Sequence, residues 1–169
     1  MTTTEAWQRG PLPAVDPLLM PIAHAFVQVQ EDLRALAAET PADAVWQRPG
    51  GAASIAFHVR HIGGATDRLL TYARGAALSD EQRRFLESEA EEPTPRPPLE
   101  ELVDQTIRTL DAALEQVRAT SADQSTAPRT IGRAALPTNV LGLLFHAAEH
   151  ATRHAGQAIT TARIVCGPR

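Results

Sequence analysis

Cysteine is almost absent. The one cysteine in 169 residues, Cys166, excludes an intramolecular disulfide framework. It lies in the tail CGPR and reads as a structural bystander. Basic runs are missing too. The arginines are scattered, the formal charge is −4 and the pI is about 5.8. The basic face of a generic nucleic-acid binder is therefore not expected. No apolar run approaches the roughly 20 residues that span a bilayer, and the N-terminus MTTTEAWQRGPLP lacks the charged-then-apolar layout of a signal peptide. A soluble, cytoplasmic protein with no membrane or nucleic-acid partner is the expectation. β-branched runs bounded by turn signals, the mark of strands, are also lacking, and no internal repeat is found.

What is present favours helix. Alanine, leucine, arginine and glutamate dominate, and these are good helix formers. Residues 1–16 read as an irregular lead-in, because Pro11, Pro13 and Pro17 discourage helix. Trp7 there either packs back on the body or marks an interface. Residues 17–169 read as one domain, long enough to bury a core.

Within it the spacing predicts four long amphipathic helices. The first runs from Pro17 to Glu39, with a seam of Leu19, Ile22, Phe26, Val29, Leu33 and Leu36. His24 falls off that seam and is expected at an exposed or rim position. Thr40 to Ala52 is a connection broken by Pro41, Pro49, Gly50 and Gly51, with Trp46 placed to cover one end of the core. The second helix starts at the N-cap Ser54 and ends near Gly75. Its seam is Ile55, His58, Ile62, Ala65, Leu69 and Tyr72, and its Gly63–Gly64 pair could permit a close approach. Residues 76–98 form a long charged connection, mostly a solvated face, holding a short surface helix capped by Ser79 and the stiff string PTPRPP. The third helix spans Leu99 to Ala119. Residues 121–137 are polar and irregular, and the fourth helix runs from Thr138 to Ile164. These elements make a four-helix bundle. The long link between the second and third helices permits a crossover.

The chemistry concentrates in LLFHAAEHATRHAGQAI, residues 143–159, which holds three of the six histidines. His146, His150 and His154 are each four residues apart and so share one helical face. With Val140 as seam centre, His154 lies roughly 40°, His150 roughly 80° and His146 roughly 120° to the same side. His150 and His154 thus sit at the core margin and His146 further out. On the second helix His58 faces inward, and His61, about 60° away, is at a margin. Two imidazoles from one helix and one from another could hold zinc or a similar divalent ion with a position left open. Spacing does not choose between His58 and His61. The HExxH protease signature is absent, as Glu149 precedes His150, and so are the paired ExxH motifs of di-iron bundles.

The strings SIAFHVRHI, then Asp67, then HAAEHATRHAGQ resemble the DinB/YfiT-like superfamily. The late signature there is a histidine followed by Arg-Gly-Gln. Here it reads His154-Ala155-Gly156-Gln157, with alanine in place of the arginine, and Arg153 stands where a histidine is common. The resemblance implies an all-α, up-down-down-up four-helix bundle, often a homodimer. It implies a divalent metal, zinc or nickel, held by His61, His150 and His154. His58 is then a packed histidine or one that supports a ligand, His146 is a rim residue, and Gln157 could orient a ligand or bound water. The activity implied is a metal-dependent thiol S-transferase that joins a low-molecular-weight thiol, such as mycothiol or bacillithiol, to an electrophilic substrate. A metal-dependent hydrolase would use the same ligands with water. A stress-related metal or small-ligand binding protein would bind without turnover, and a helical dimerisation module would bind nothing.

Overall fold

The computed structural model describes residues 4–167. Its elements, in order, are α1 (Met20–Glu39), α2 (Ile55–Ala73), α3 (Asp80–Ser88), α4 (Leu99–Ala119), α5 (Ala122–Ser125), β1 (Pro128–Ile131), β2 (Leu136–Asn139) and α6 (Val140–Cys166). The four long helices α1, α2, α4 and α6 bury their apolar stripes together. Leu19, Phe26, Leu33, Ile62, Leu110 and Leu144 are among the fully enclosed side chains. Each side chain of that size removed from water contributes about 1.5–3 kcal/mol before the cost of ordering the chain.

Direction follows from cross-helix contacts. The Thr106 hydroxyl donates to the Val59 carbonyl at 2.9 Å, and further along the Gln116 amide donates to the Leu70 carbonyl at 3.2 Å. Position thus rises on both helices together, so α2 and α4 are parallel. His58 faces His154 and His61 faces His150, so α2 and α6 are antiparallel. The C-terminal ends of α1 and α6 share one groove, lined by Leu36, Glu39, Ala162 and Cys166. The order is up-down-down-up. A parallel α2–α4 pair needs a crossover, and residues 74–98, carrying α3, supply it.

Local signals set the boundaries. The Ser54 hydroxyl accepts the Phe57 N–H at 3.2 Å and starts α2. Ser79 and Gln82 form a capping box for α3. Asn139 accepts the Gly142 N–H at 2.7 Å and starts α6, which sets the phase of every histidine after it. The glycine pair in α2 has a packing reason. A Cβ on Gly63 would stand 3.2 Å from the Thr106 hydroxyl of α4, and one on Gly64 would overlap the Phe85 ring of α3. The pair lets two neighbours approach.

Several expectations need correcting. The first helix begins at Met20, because Pro17 to Leu19 form a turn in which Asp16 accepts the Leu18 and Leu19 N–H groups. The lead-in holds a short 3₁₀ turn, Ala6–Arg9, tied to α1 by the Ala6 N–H on Gln28 and by Arg9 on Glu31. Trp7 stays exposed, its indole N–H donating to Glu5. His24 is buried, not at a rim, with Nε2 2.9 Å from the Gly10 carbonyl. That hydrogen bond to the lead-in is what the helical seam could not reveal. Residues 121–137 are not irregular throughout. They include α5 and β1, and β1 pairs antiparallel with β2, Pro128 opposite Asn139. This two-stranded ribbon is too short and too polar to show the alternation that marks a strand. Among the described residues no helix is long and apolar enough to cross a membrane.

Candidate metal centre

The antiparallel contact of α2 with α6 brings four histidines together. His58 and His61 are three apart on α2, and His150 and His154 four apart on α6, so each pair lies on one helical face. The His61 and His150 Nε2 atoms are 2.8 Å apart. Ring centroids stand 4.5 Å apart for His61 and His154, and 4.5 Å for His150 and His154. One nitrogen from each of His61, His150 and His154 lies within 4.8 Å of the others. All three residues are half-buried.

The remaining nitrogens show how the rings are held. His58, itself buried, brings its Nδ1 to 3.0 Å from His154 Nδ1. His61 Nδ1 lies 2.9 Å from the Glu89 carboxylate. Arg68 grips the same carboxylate through both oxygens at 3.1 and 3.2 Å. Phe57 stacks on His61 with centroids 5.4 Å apart and planes within 10°. His150 Nδ1 is buried without a hydrogen-bond partner.

Burial pushes the His150 imidazole down to about 4, helped by the neighbouring charges of His61 and His146. It does the same to His154, also to about 4, with His61 and His150 adding to it. His58 is lowered by burial and by His61. These rings are therefore neutral near pH 7, the state in which imidazole offers a lone pair. Burial alone would raise the Glu89 carboxyl. Hydrogen bonds from His61 and Arg68 outweigh it and hold the group below the usual carboxylate range.

The donor set fits a divalent ion such as zinc. A neutral His61 that donates Nδ1–H to Glu89 leaves Nε2 as a lone pair. His154, paired through Nδ1 with His58, likewise keeps Nε2 free when it donates. Two lone-pair nitrogens 2.8 Å apart, as in His61 and His150, need a proton or a cation between them. Nitrogens bound to one zinc lie about 2.0–2.1 Å from it, so a cluster of this span needs only small ring movements. Nitrogen-only ligation with open positions suits zinc, nickel or copper better than calcium or magnesium.

Not every candidate residue joins the cluster. His146 is exposed, its Nδ1 3.4 Å from Glu149, and Arg153 also pairs with Glu149. Gln157 is exposed and lies outside the triad. His24 is at the other end of its own hydrogen bond, on α1. Asp67 accepts from Gln82 at 2.7 Å and takes no part. Cys166 ends α6 and is half-buried, away from the histidines. Glu89, by contrast, is a participant that sequence reasoning missed. It sits in an acidic stretch where neighbouring Glu87, Glu91 and Glu92 are exposed, and no spacing rule distinguishes it from them.

The DinB superfamily model matches residues 25–158, most of the chain. A crystal structure of a conserved protein from Enterococcus faecalis is 16% identical, with a TM-score of 0.65, over 89% of this chain and 98% of that one. At that identity the likeness is one of fold. No curated protein matches the sequence. The chain belongs to the DinB superfamily.

Proposed function

We propose that this DinB superfamily chain holds a divalent metal ion, zinc or nickel, on His61, His150 and His154. We read it as a metal-dependent thiol S-transferase that joins a low-molecular-weight thiol to an electrophile. The observation that carries the reading is the convergence of one nitrogen from each of these three residues within 4.8 Å. Such an ion, when bound, makes a coordinated thiol or water more acidic and so supplies a nucleophile near neutral pH.

The residues around the triad support this use. His150 and His154 stay uncharged at neutral pH, so they do not repel a cation. His58 orients His154, and Phe57 covers one face of His61. All three residues are half-buried, so the cluster is reached in part by solvent. No protein cysteine stands at the centre, so the sulfur nucleophile has to come from a small molecule.

The test is metal analysis of protein purified without an affinity tag, followed by a thiol-transfer screen. Several thiols would be offered with one generic electrophile to metal-loaded protein. The reading expects stoichiometric metal and turnover that depends on added thiol. It also expects both to be lost in His150→Ala. Turnover without thiol would make the protein a hydrolase, and bound metal without turnover would make it a binding protein. Absence of stoichiometric metal would sink the centre itself.

A further inference from the structure

α2 and α6 supply all the histidines of the cluster, but one side chain reaches them from outside the four-helix core. Glu89 is the C-cap residue of α3, in the crossover that joins α2 to α4. It is 7% exposed. A carboxylate so enclosed costs free energy unless it is paired and hydrogen-bonded. Arg68 provides the pairing through a two-pronged contact with both oxygens. Arg60 fixes the backbone, donating to the carbonyls of Glu89 at 3.1 Å and Glu91 at 2.6 Å. Those contacts anchor Glu89 to α2 at both its side chain and its backbone. The additional contact, 2.9 Å from its Oε1 to His61 Nδ1, concerns the centre.

We propose that Glu89 is a positioning residue of the metal centre: its carboxylate accepts the His61 Nδ1–H and holds that ring in the tautomer whose Nε2 lone pair faces His150 and His154. The proposal rests on the three-histidine reading above. A carboxylate on the far nitrogen fixes both ring rotation and tautomer, and makes the ligating nitrogen a better donor. Arg68 keeps the carboxylate aimed. The crossover thereby becomes part of the site, although it carries no ligand. His58 serves His154 in the corresponding place, so two of the three rings are oriented from behind. His150, whose Nδ1 has no partner, is not.

Two readouts test this without any assay of turnover. The first is the tautomer of His61, read from ¹⁵N chemical shifts in metal-free, histidine-labelled protein. Wild type should show Nδ1–H at His61, and Glu89→Ala should shift it towards a mixture. The second is zinc affinity by chelator competition. Glu89→Ala should weaken binding about 10–100-fold. Glu89→Gln keeps an oxygen that can accept from His61, so it should retain the tautomer and lose less affinity. Circular dichroism melts report whether each variant folds, and the wild-type tautomer needs no variant. Nε2–H at His61 in the wild-type protein would overturn the proposal. So would a folded Glu89→Ala that binds zinc as tightly as wild type while His61→Ala does not. Failure of the triad itself looks different: His61→Ala, His150→Ala and His154→Ala would all bind zinc like wild type.

Discussion

α2 packs against α4 on one side and against α6 on the other, and the two contacts are built differently. Towards α4 the backbones come close. Gly63 has no side chain to hold them apart, and the Thr106 hydroxyl is satisfied by the Val59 carbonyl. Towards α6, at the N-terminal half of α2, imidazoles replace aliphatic side chains, and the rings stay partly open to solvent. Apolar burial stabilises a fold without any ligand. A cluster of neutral imidazoles forgoes some of that burial, and one buried nitrogen, His150 Nδ1, is left without a partner. The difference separates, along a single helix, a face built for stability from one whose donor atoms could hold a metal ion.

The largest effect should come from the apolar side. Leu110→Ala, at a fully buried position of α4, should cost about 2–5 kcal/mol in denaturant unfolding, with the intrinsic zinc affinity of the folded protein unchanged. A loss of affinity as large as that of His150→Ala would break the comparison. Zinc at a hundredfold excess over its dissociation constant should stabilise wild type by about 2.7 kcal/mol. The same addition should do nothing for His150→Ala, as thermal melts with and without metal would show.

The pH response of the metal-free protein sharpens the contrast further. In the unfolded chain His150 and His154 take up protons near the ordinary value of 6.5, whereas in the folded chain they wait until about 4. The unfolded state therefore binds more protons between these limits. Stability should fall as pH drops through that window and stop responding to these two groups below it. Denaturant unfolding at pH 7 and pH 5 measures this, and the slope should be shallower in His150→Gln. Partial exposure screens the effect, so it should stay below that of Leu110→Ala. Smallest of all is His146→Ala. His146 is exposed, pairs with Glu149 and stands 5.4 Å from the His150 ring without joining the triad, so the change should lie within about 0.5 kcal/mol and should not abolish tight zinc binding.

Helical periodicity made most of the bundle legible. The third helix runs over Leu99–Ala119 as its stripe of Val103, Ile107, Leu110, Leu114 and Val117 requires, and Ser54 and Ser79 cap the helices they precede. What escaped was structure held by a few local bonds: the β1–β2 ribbon and the docking of His24 on Gly10. In the cluster, the four-residue step from His150 to His154 placed both on one face, because a helix brings residues of that spacing together whatever surrounds them.

Helix content, the four apolar stripes and the histidine faces were thus determined by the sequence alone, since each depends on residues within a few turns of one another. Spacing left open which histidine of α2 joins His150 and His154, and the family resemblance pointed to His61; the tertiary structure brings His61 to that pair and encloses Glu89 while the acids beside it stay exposed. His61 joins the α6 pair, while His58 stands behind His154. Those outcomes depend on how α2 crosses α6 and where the crossover folds back, and contacts between residues 28, 89 or 96 positions apart leave no periodic trace along the chain.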